Sequence, residues 1–270
     1  LSRGMFALTR IRTPWFKNLF IQKFSKLFKI NWAESRHQQP EDFEHFNAFF
    51  TRGLADGVRP ISGDETTLIS PADGFVSQVG EISGDTIFQA KGQNYTTHTL
   101  LGGRENLASQ FEDGNFATVY LSPRDYHRVH MPCGGKLRET IYIPGRLFSV
   151  APAAARTIPN LFARNERLVA IFDTDNGVMA MILVGAVFVA AIETVWDGLV
   201  TPPHRSEIVY RDYHSNGIEL ARGAEMGRFN MGSTVILLFQ KDAVSWVKPL
   251  IPEQSLKMGQ QIGQANRKTG

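Results

Sequence analysis

Three short stretches gather the side chains that could do chemistry: SPADG (70–74), DYHRVHMP (125–132) and GST (232–234). Asp73, His130 and Ser233 supply a carboxylate, an imidazole and a hydroxyl. These are the parts of a nucleophilic triad, in which the His takes the hydroxyl proton and the carboxylate holds the His tautomer. Triads are set by geometry and occur in several chain orders, so Asp…His…Ser is allowed. Each part also has a plain structural reading. Asp is a standard turn residue, a His packs as a satisfied core residue, and Gly, Ser and Thr suit a turn before a strand. In a strand, residues i and i+3 point to opposite faces, so His127 and His130 would separate, one towards a site and one behind it. Pro132 would end that strand. Metal binding is only weakly signalled, because no further His or Cys lies at ligand spacing, and no metal is expected.

Ser233 does not sit in a G-x-S-x-G elbow. In GRFNMGSTVILLF (227–239) it opens a buried strand directly after Gly232. That placement suits attack by Ser233 Oγ on the carbonyl of its own preceding residue, since Gly232 has no Cβ to crowd the approach. The peptide would become an ester. Elimination would release the upstream chain, and the unsaturated residue left behind would hydrolyse to a pyruvoyl group, a ketone electron sink. The expected cleavage site is Gly232–Ser233. One rival is a serine hydrolase using the same triad on a lipid or peptide ester. A non-enzymatic rival is a lipid-binding scaffold that needs neither Ser233 nor His130.

The elements that must position these groups fall into two textures. In WFKNLFIQKFSKLFKI (15–30), Phe16, Phe20, Phe24 and Phe28 recur with Leu19 and Leu27 on one helical stripe, and Lys17, Lys23, Lys26 and Lys29 lie mostly off it. A basic, Phe-rich amphipathic helix is the pattern of a membrane-surface anchor, with cations for anionic lipids and aromatics for the acyl boundary. The alternative is a helix docked on its own domain. Glu41–Leu54 reads as a second helix. Beyond it, strand-like runs at 68–82, 115–132, 137–145, 168–195, 206–212 and 233–239 predict an α+β, mainly β fold. Its core would be an antiparallel sandwich or barrel-like sheet. The expected division is a helical membrane-associating segment over 1–56 and a β-rich catalytic domain over 57–270. The polar tail from Gln254 to Gly270 is expected to fray.

Composition narrows the class. A chain of 270 residues suits one large domain, or one plus an appendage. With 43% hydrophobic and only 20% charged residues it is not a disordered chain. The formal charge of +3 comes from residues 1–30, which hold Arg3, Arg10, Arg12, Lys17, Lys23, Lys26 and Lys29 and no Asp or Glu. The remainder is net acidic, and no nucleic-acid partner is expected. Cys133 is the only cysteine, which excludes an intrachain disulfide and a Cys-rich zinc site. The longest apolar run, Val178 to Ile192, is shorter than the roughly 18–20 residues of a spanning helix. Leu1 is not an initiator, so a native start further upstream is expected.

The chain resembles, over nearly its whole length, the phosphatidylserine decarboxylases of the bacterial and mitochondrial type. The resemblance rests on FFTR (49–52), RPI (59–61), SPADG (70–74), QAKGQNY (89–95), YLSPRDYHRVHMPC (120–133), PNLFARNER (159–167), IETVWDG (192–198) and EMGRFNMGSTV (225–235). It implies a proenzyme that cuts itself at the Gly-Ser bond of an LGST motif. Met231 stands here for the Leu, a swap of similar apolar volume. It further implies a β chain ending at Gly232 and an α chain, 233–270, that stay associated, with Ser233 converted to a pyruvoyl cofactor. Asp73, His130 and Ser233 would form the processing triad, and His127 would assist decarboxylation or position the head group. The pyruvoyl ketone would form a Schiff base with the amine of phosphatidylserine. Loss of carbon dioxide, protonation and hydrolysis would then give phosphatidylethanolamine. The implied partners are phosphatidylserine, an anionic membrane surface and the two chains of one precursor, with a homodimer as a further assembly. The implied location is peripheral, on the cytoplasmic face of a bacterial inner membrane.

Overall fold

The computed structural model describes residues 2–187, 191–202, 204–230 and 233–266, with only the backbone of Ser2, Arg3 and Ser233. Strands dominate and pair antiparallel, and the longest helix, Pro14–Phe28, lies near the amino terminus, as the α+β, mainly β reading requires. The largest sheet has nine strands. Val209–Asp212, Gly135–Ile143, Arg167–Thr174, Gly177–Val184, Ser233–Phe239, Asn115–Leu121, Gly74–Glu81 and Ser255–Leu256 follow one another, and Glu219–Leu220 adds to Gly135–Ile143. The strand opened by Ser233 is central. It pairs with Asn115–Leu121 from Ser233↔Leu121 to Phe239↔Asn115, and with Gly177–Val184 on its other side. Val235, Ile236, Leu237 and Leu238 are fully buried, so both faces of this strand are covered. That is why its sequence is a continuous apolar run rather than an alternating one.

A second sheet orders Gly198–Leu199, Ala191–Thr194, Glu225–Asn230 and Arg128–His130. A third places Gln261–Ala265 between Thr67–Ile69 and Val244–Trp246. The tail expected to fray is therefore ordered through Ala265, because Leu256, Met258 and Ile262 are buried and the backbone on either side is paired.

The amino-terminal helices make their own apolar cluster of Ile21, Phe24, Ile30, Phe43, Phe46, Phe49 and Phe50. This corrects the outward orientation of the Phe stripe. Phe24 is 8% exposed, Phe20 stacks on Phe46 at 4.2 Å, Phe28 packs on Phe24 at 4.4 Å, and Phe16 lies against Phe20 at 6.1 Å. Lys17 is buried too, its Nζ donating to the Pro40 carbonyl at 2.9 Å. The outward apolar side chains are Trp15, Leu19 and Leu27, with Trp15 70% and Leu27 73% exposed. The second helix is shorter than expected: a 3-10 turn at Pro40–Asp42 precedes a helix limited to Phe46–Phe50. Among the described residues, no helix is long and apolar enough to cross a membrane.

Candidate active site

The site residues come from turns between strands, from the short strand Arg128–His130 and from the start of Ser233–Phe239. SPADG links Thr67–Ile69 to Gly74–Glu81. Ser70 closes this turn by donating Oγ to the Ala72 carbonyl at 2.8 Å. Gly74 is required because a Cβ there would stand 2.2 Å from the Tyr120 carbonyl. The turn aims Asp73 into the interior, where Oδ1 accepts from Arg59 Nε at 2.9 Å and from the Met258 N–H at 2.9 Å. Oδ2 accepts from Arg59 Nη2 at 2.6 Å and from Lys257 Nζ at 3.3 Å. Arg59 also reaches Glu34 at 2.5 Å. Burial raises the Asp73 pKa, but Arg59, the Met258 N–H and Lys257 outweigh it and hold the carboxyl below its ordinary value.

The run at 115–132 is two strands broken by a turn, not one. Ser122-Pro123 starts the turn, and Asp125 closes it by accepting from the Ser122 N–H at 2.7 Å and Oγ at 2.6 Å. The second strand is only Arg128–His130. His130 Nδ1 lies 2.8 Å from the Gly223 carbonyl, which can only accept, so Nδ1 carries the proton. Nε2 is then the acceptor for Tyr126 Oη at 2.9 Å. Burial pushes the Tyr126 phenol up to about 12, so it remains a donor. Gly223 presents its carbonyl from a left-handed turn (φ +79°), where a Cβ would meet Ile61 at 2.9 Å. Burial lowers the His130 pKa, partly offset by the Gly223 bond, and the imidazole is neutral at pH 7.

Asp73 and His130 are therefore not hydrogen-bonded to each other. Asp73 is saturated by Arg59, Lys257 and Met258, and the Gly223 carbonyl does the orienting that sequence reasoning assigned to the carboxylate. The two groups still border one region, since Arg59, Met258 and Tyr126 line a single cleft of about 550 Å³. His127 occupies a different setting, fully buried and stacked on Phe50 with ring centroids 4.0 Å apart. Neither ring nitrogen makes a well-formed hydrogen bond among the described residues, although the Pro123 and Ser122 backbone lies close enough to oppose the shift that burial imposes. Burial and, secondarily, the Arg52 charge lower its pKa to about 3, so His127 is neutral throughout the physiological range.

Ser233 lies across from Leu121, the residue immediately before the Ser122–Asp125 turn that sets up both histidines. Gly232 and Met231 lie outside the described residues, as does the Ser233 side chain. The strand before them, Glu225–Asn230, belongs to the second sheet and the strand after them to the first. The chain thus changes sheets within two residues, and both flanks are held on both sides. Glu225–Asn230 lies between Ala191–Thr194 and Arg128–His130, and Ser233–Phe239 between Asn115–Leu121 and Gly177–Val184.

Sequence reasoning gave no role to three polar residues, Asn230 beside this junction and Arg59 and Arg52 in the cleft. Asn230 is buried, accepts from Asn47 Nδ2 at 2.5 Å and donates to Glu193 Oε1 at 3.0 Å, tying the amino-terminal helix to the residue just before the junction. Arg59 is the Arg of the RPI stretch and Arg52 that of FFTR. The available signal was an Arg at one end of each short motif, closing FFTR and opening RPI, a composition that puts a cation against the core.

The profile of the phosphatidylserine decarboxylase family matches residues 46–264, and a second profile, described as PSD, matches residues 1–29. A phosphatidylserine decarboxylase proenzyme of Nitrosococcus oceani is 51% identical over 98% of this chain and 87% of its own length. That of Alkalilimnicola ehrlichii is 57% identical over 88% of this chain and 83% of its own. That of Azotobacter vinelandii is 52% identical over 98% and 94%.

Proposed function

The chain belongs to the phosphatidylserine decarboxylase family, and from that premise we propose how its own residues make the enzyme. It is a carboxy-lyase made as a self-processing proenzyme, and it converts phosphatidylserine to phosphatidylethanolamine and carbon dioxide. We assign self-cleavage to Gly232–Ser233. Ser233 Oγ adds to the Gly232 carbonyl, the C–N bond breaks, and an ester C–O bond replaces it. Loss of the Ser233 Cα proton expels Gly232 as a carboxylate. Water then displaces the nitrogen as ammonia and leaves a pyruvoyl group at position 233.

The observation that carries this reading is the sheet change at 231–232. A bond placed between two independently paired strands can break without unzipping either one. The two products stay together because the strand Ser233–Phe239 remains between two strands of the upstream chain, and Gln261–Ala265 remains paired with Thr67–Ile69. His130 is the base for the Ser233 hydroxyl. Its Nδ1–H is held by Gly223, and Nε2 is available once Tyr126 swings away or passes the proton on. Asp73 acts as a positioning residue that clamps Lys257 and Met258 of the downstream chain to Arg59 of the upstream chain.

The residues present fit a carbonyl group at position 233. Thr234 Oγ1, on the residue that follows, is a buried polar atom without a partner among the described residues, and His127 belongs to the turn that follows Leu121, the residue paired with Ser233. When formed, that group supplies an electron sink that side chains lack. Around it, His127 is a neutral imidazole that can donate or accept one proton at the reacting carbon, and its stack on Phe50 excludes water.

Helix Pro14–Phe28 docks the enzyme on an anionic bilayer through Trp15, Leu19 and Leu27, with Lys23, Lys26 and Lys29 towards the head groups. The buried free thiol of Cys133 suits the reducing, cytoplasmic side of the membrane. Carboxyl-labelled phosphatidylserine in mixed micelles tests the assignment. Wild type releases labelled carbon dioxide and Ser233→Ala releases none. Fatty-acid release without carbon dioxide would contradict the assignment and point to a serine hydrolase.

A further inference from the structure

Arg52 stands apart from the other arginines of the cleft. Arg36 pairs with Asp56 at 3.1 Å, Arg59 with Asp73 and Glu34, Arg128 with Glu225 at 2.9 Å, and Arg228 with Glu225 at 3.1 Å. Arg52 has no carboxylate partner among the described residues. It follows helix Phe46–Phe50, is 6% exposed, and lies over the Phe49 ring at 5.4 Å. Nη2 donates to the Arg124 carbonyl at 3.3 Å, while Nε and Nη1 are buried without an acceptor among the described residues. Burial holds its pKa below the ordinary value, although Asp73, Glu34 and Asp125 oppose the shift from a distance. A guanidinium stays charged in proteins, and burying a charge without a partner is strongly unfavourable. Apart from the Arg124 carbonyl, no acceptor among the described residues offsets that cost, and Arg52 lines the cleft, so its free donors are those of a site that takes an anion there.

We infer that Arg52 binds the phosphodiester of the phospholipid head group; the inference rests on the decarboxylase reading above. A serine phospholipid offers two anions, a carboxylate and a phosphodiester. The carboxylate loses its charge as carbon dioxide forms, and a guanidinium held against it would stabilise the reactant more than the transition state. The phosphodiester keeps its charge through substrate, transition state and product. A cation paired with it lowers KM without opposing the chemistry. The Phe49 face and the Arg124 carbonyl fix the guanidinium plane, which suits the tetrahedral oxygens of a phosphate.

The test compares mature wild type, Arg52→Lys and Arg52→Gln in mixed micelles of phosphatidylserine, with self-cleavage first checked by intact mass. The expected result is complete cleavage in all three and a KM raised roughly tenfold in Arg52→Gln with kcat within about threefold. The rise should be smaller in Arg52→Lys. Inhibition by soluble glycerophosphoethanolamine should weaken in the same order, and ethanolamine should not distinguish the variants. A fall in kcat at unchanged KM, or unchanged inhibition by glycerophosphoethanolamine, would overturn the assignment. Failure of both variants to mature would make Arg52 a folding or processing residue and would overturn it equally. Absence of turnover in fully cleaved wild type would instead strike the decarboxylase reading itself.

Discussion

Acidification separates the charge state of His127 from its packing. Its pKa in the folded chain is about 3 against 6.5 for the free side chain, because the ring is fully buried beside Phe50 and within the field of Arg52. As pH falls, the unfolded chain takes up the proton first. The stability tied to the neutral ring is therefore fully present above pH 6.5 and is lost as pH falls towards 3. The loss is about 1.4 kcal/mol per pH unit below 6.5, or about 2 kcal/mol by about pH 5. His130 shifts in the same direction and adds to the slope. Asp73 loses its contribution only as pH falls below 3.8, so it does not bear on the fall to about pH 5. Urea unfolding in the single-chain Ser233→Ala background, at about pH 7.5 and about pH 5, gives the slope with and without His127→Leu. The Leu variant should lose about 2 kcal/mol of the pH dependence, whatever its stability at neutral pH. An equal pH dependence in both proteins would mean that His127 has a partner or solvent access that keeps its pKa ordinary, and the partnerless-ring argument would fail.

Other consequences follow from the same geometry. His130→Ala should leave the chain uncut, whereas His127→Ala should be cut but turn over slowly; normal cleavage by the first protein would remove His130 as the processing base. Arg59→Ala strips the main partner from a carboxylate whose side chain is 3% exposed, and should lower unfolding free energy by about 3–5 kcal/mol; a change under about 1 kcal/mol would show that Lys257 and Met258 suffice. Ser at Trp15, Leu19 and Leu27 should abolish sedimentation with anionic liposomes while leaving the fold intact. Ser at Phe20, Phe24 and Phe28 should instead break the amino-terminal cluster and lower the melting temperature. If the second set released a still-folded protein, the inward packing of the stripe would be wrong.

Much of the frame was legible in local sequence. The apolar run Val235–Phe239 predicts a strand buried on both faces, and Asp73 sits in the turn that Pro71 and Gly74 announce. The contacts that changed the reading of the site are long-range. Arg59 claims Asp73 from 14 residues upstream, and Lys257 and Met258 claim it from more than 180 residues downstream. No local pattern reveals that a carboxylate is already saturated. The Phe stripe gave the helix but not its cover, because amphipathicity is the same whether the apolar face meets lipid or Phe46 and Phe49. The polar tail looked weak because its order comes from main-chain ladders and from three buried side chains spaced along a polar background.

The central claim is that this chain breaks itself between Gly232 and Ser233. An intact-mass spectrum of purified, denatured wild type beside Ser233→Ala tests it directly. The account predicts two wild-type species whose masses divide the chain at that bond, the smaller lacking a free amino terminus and carrying a carbonyl reactive towards hydroxylamine, and a single species for Ser233→Ala. A single uncut chain in folded wild-type protein, or a cut at any other bond, would contradict it.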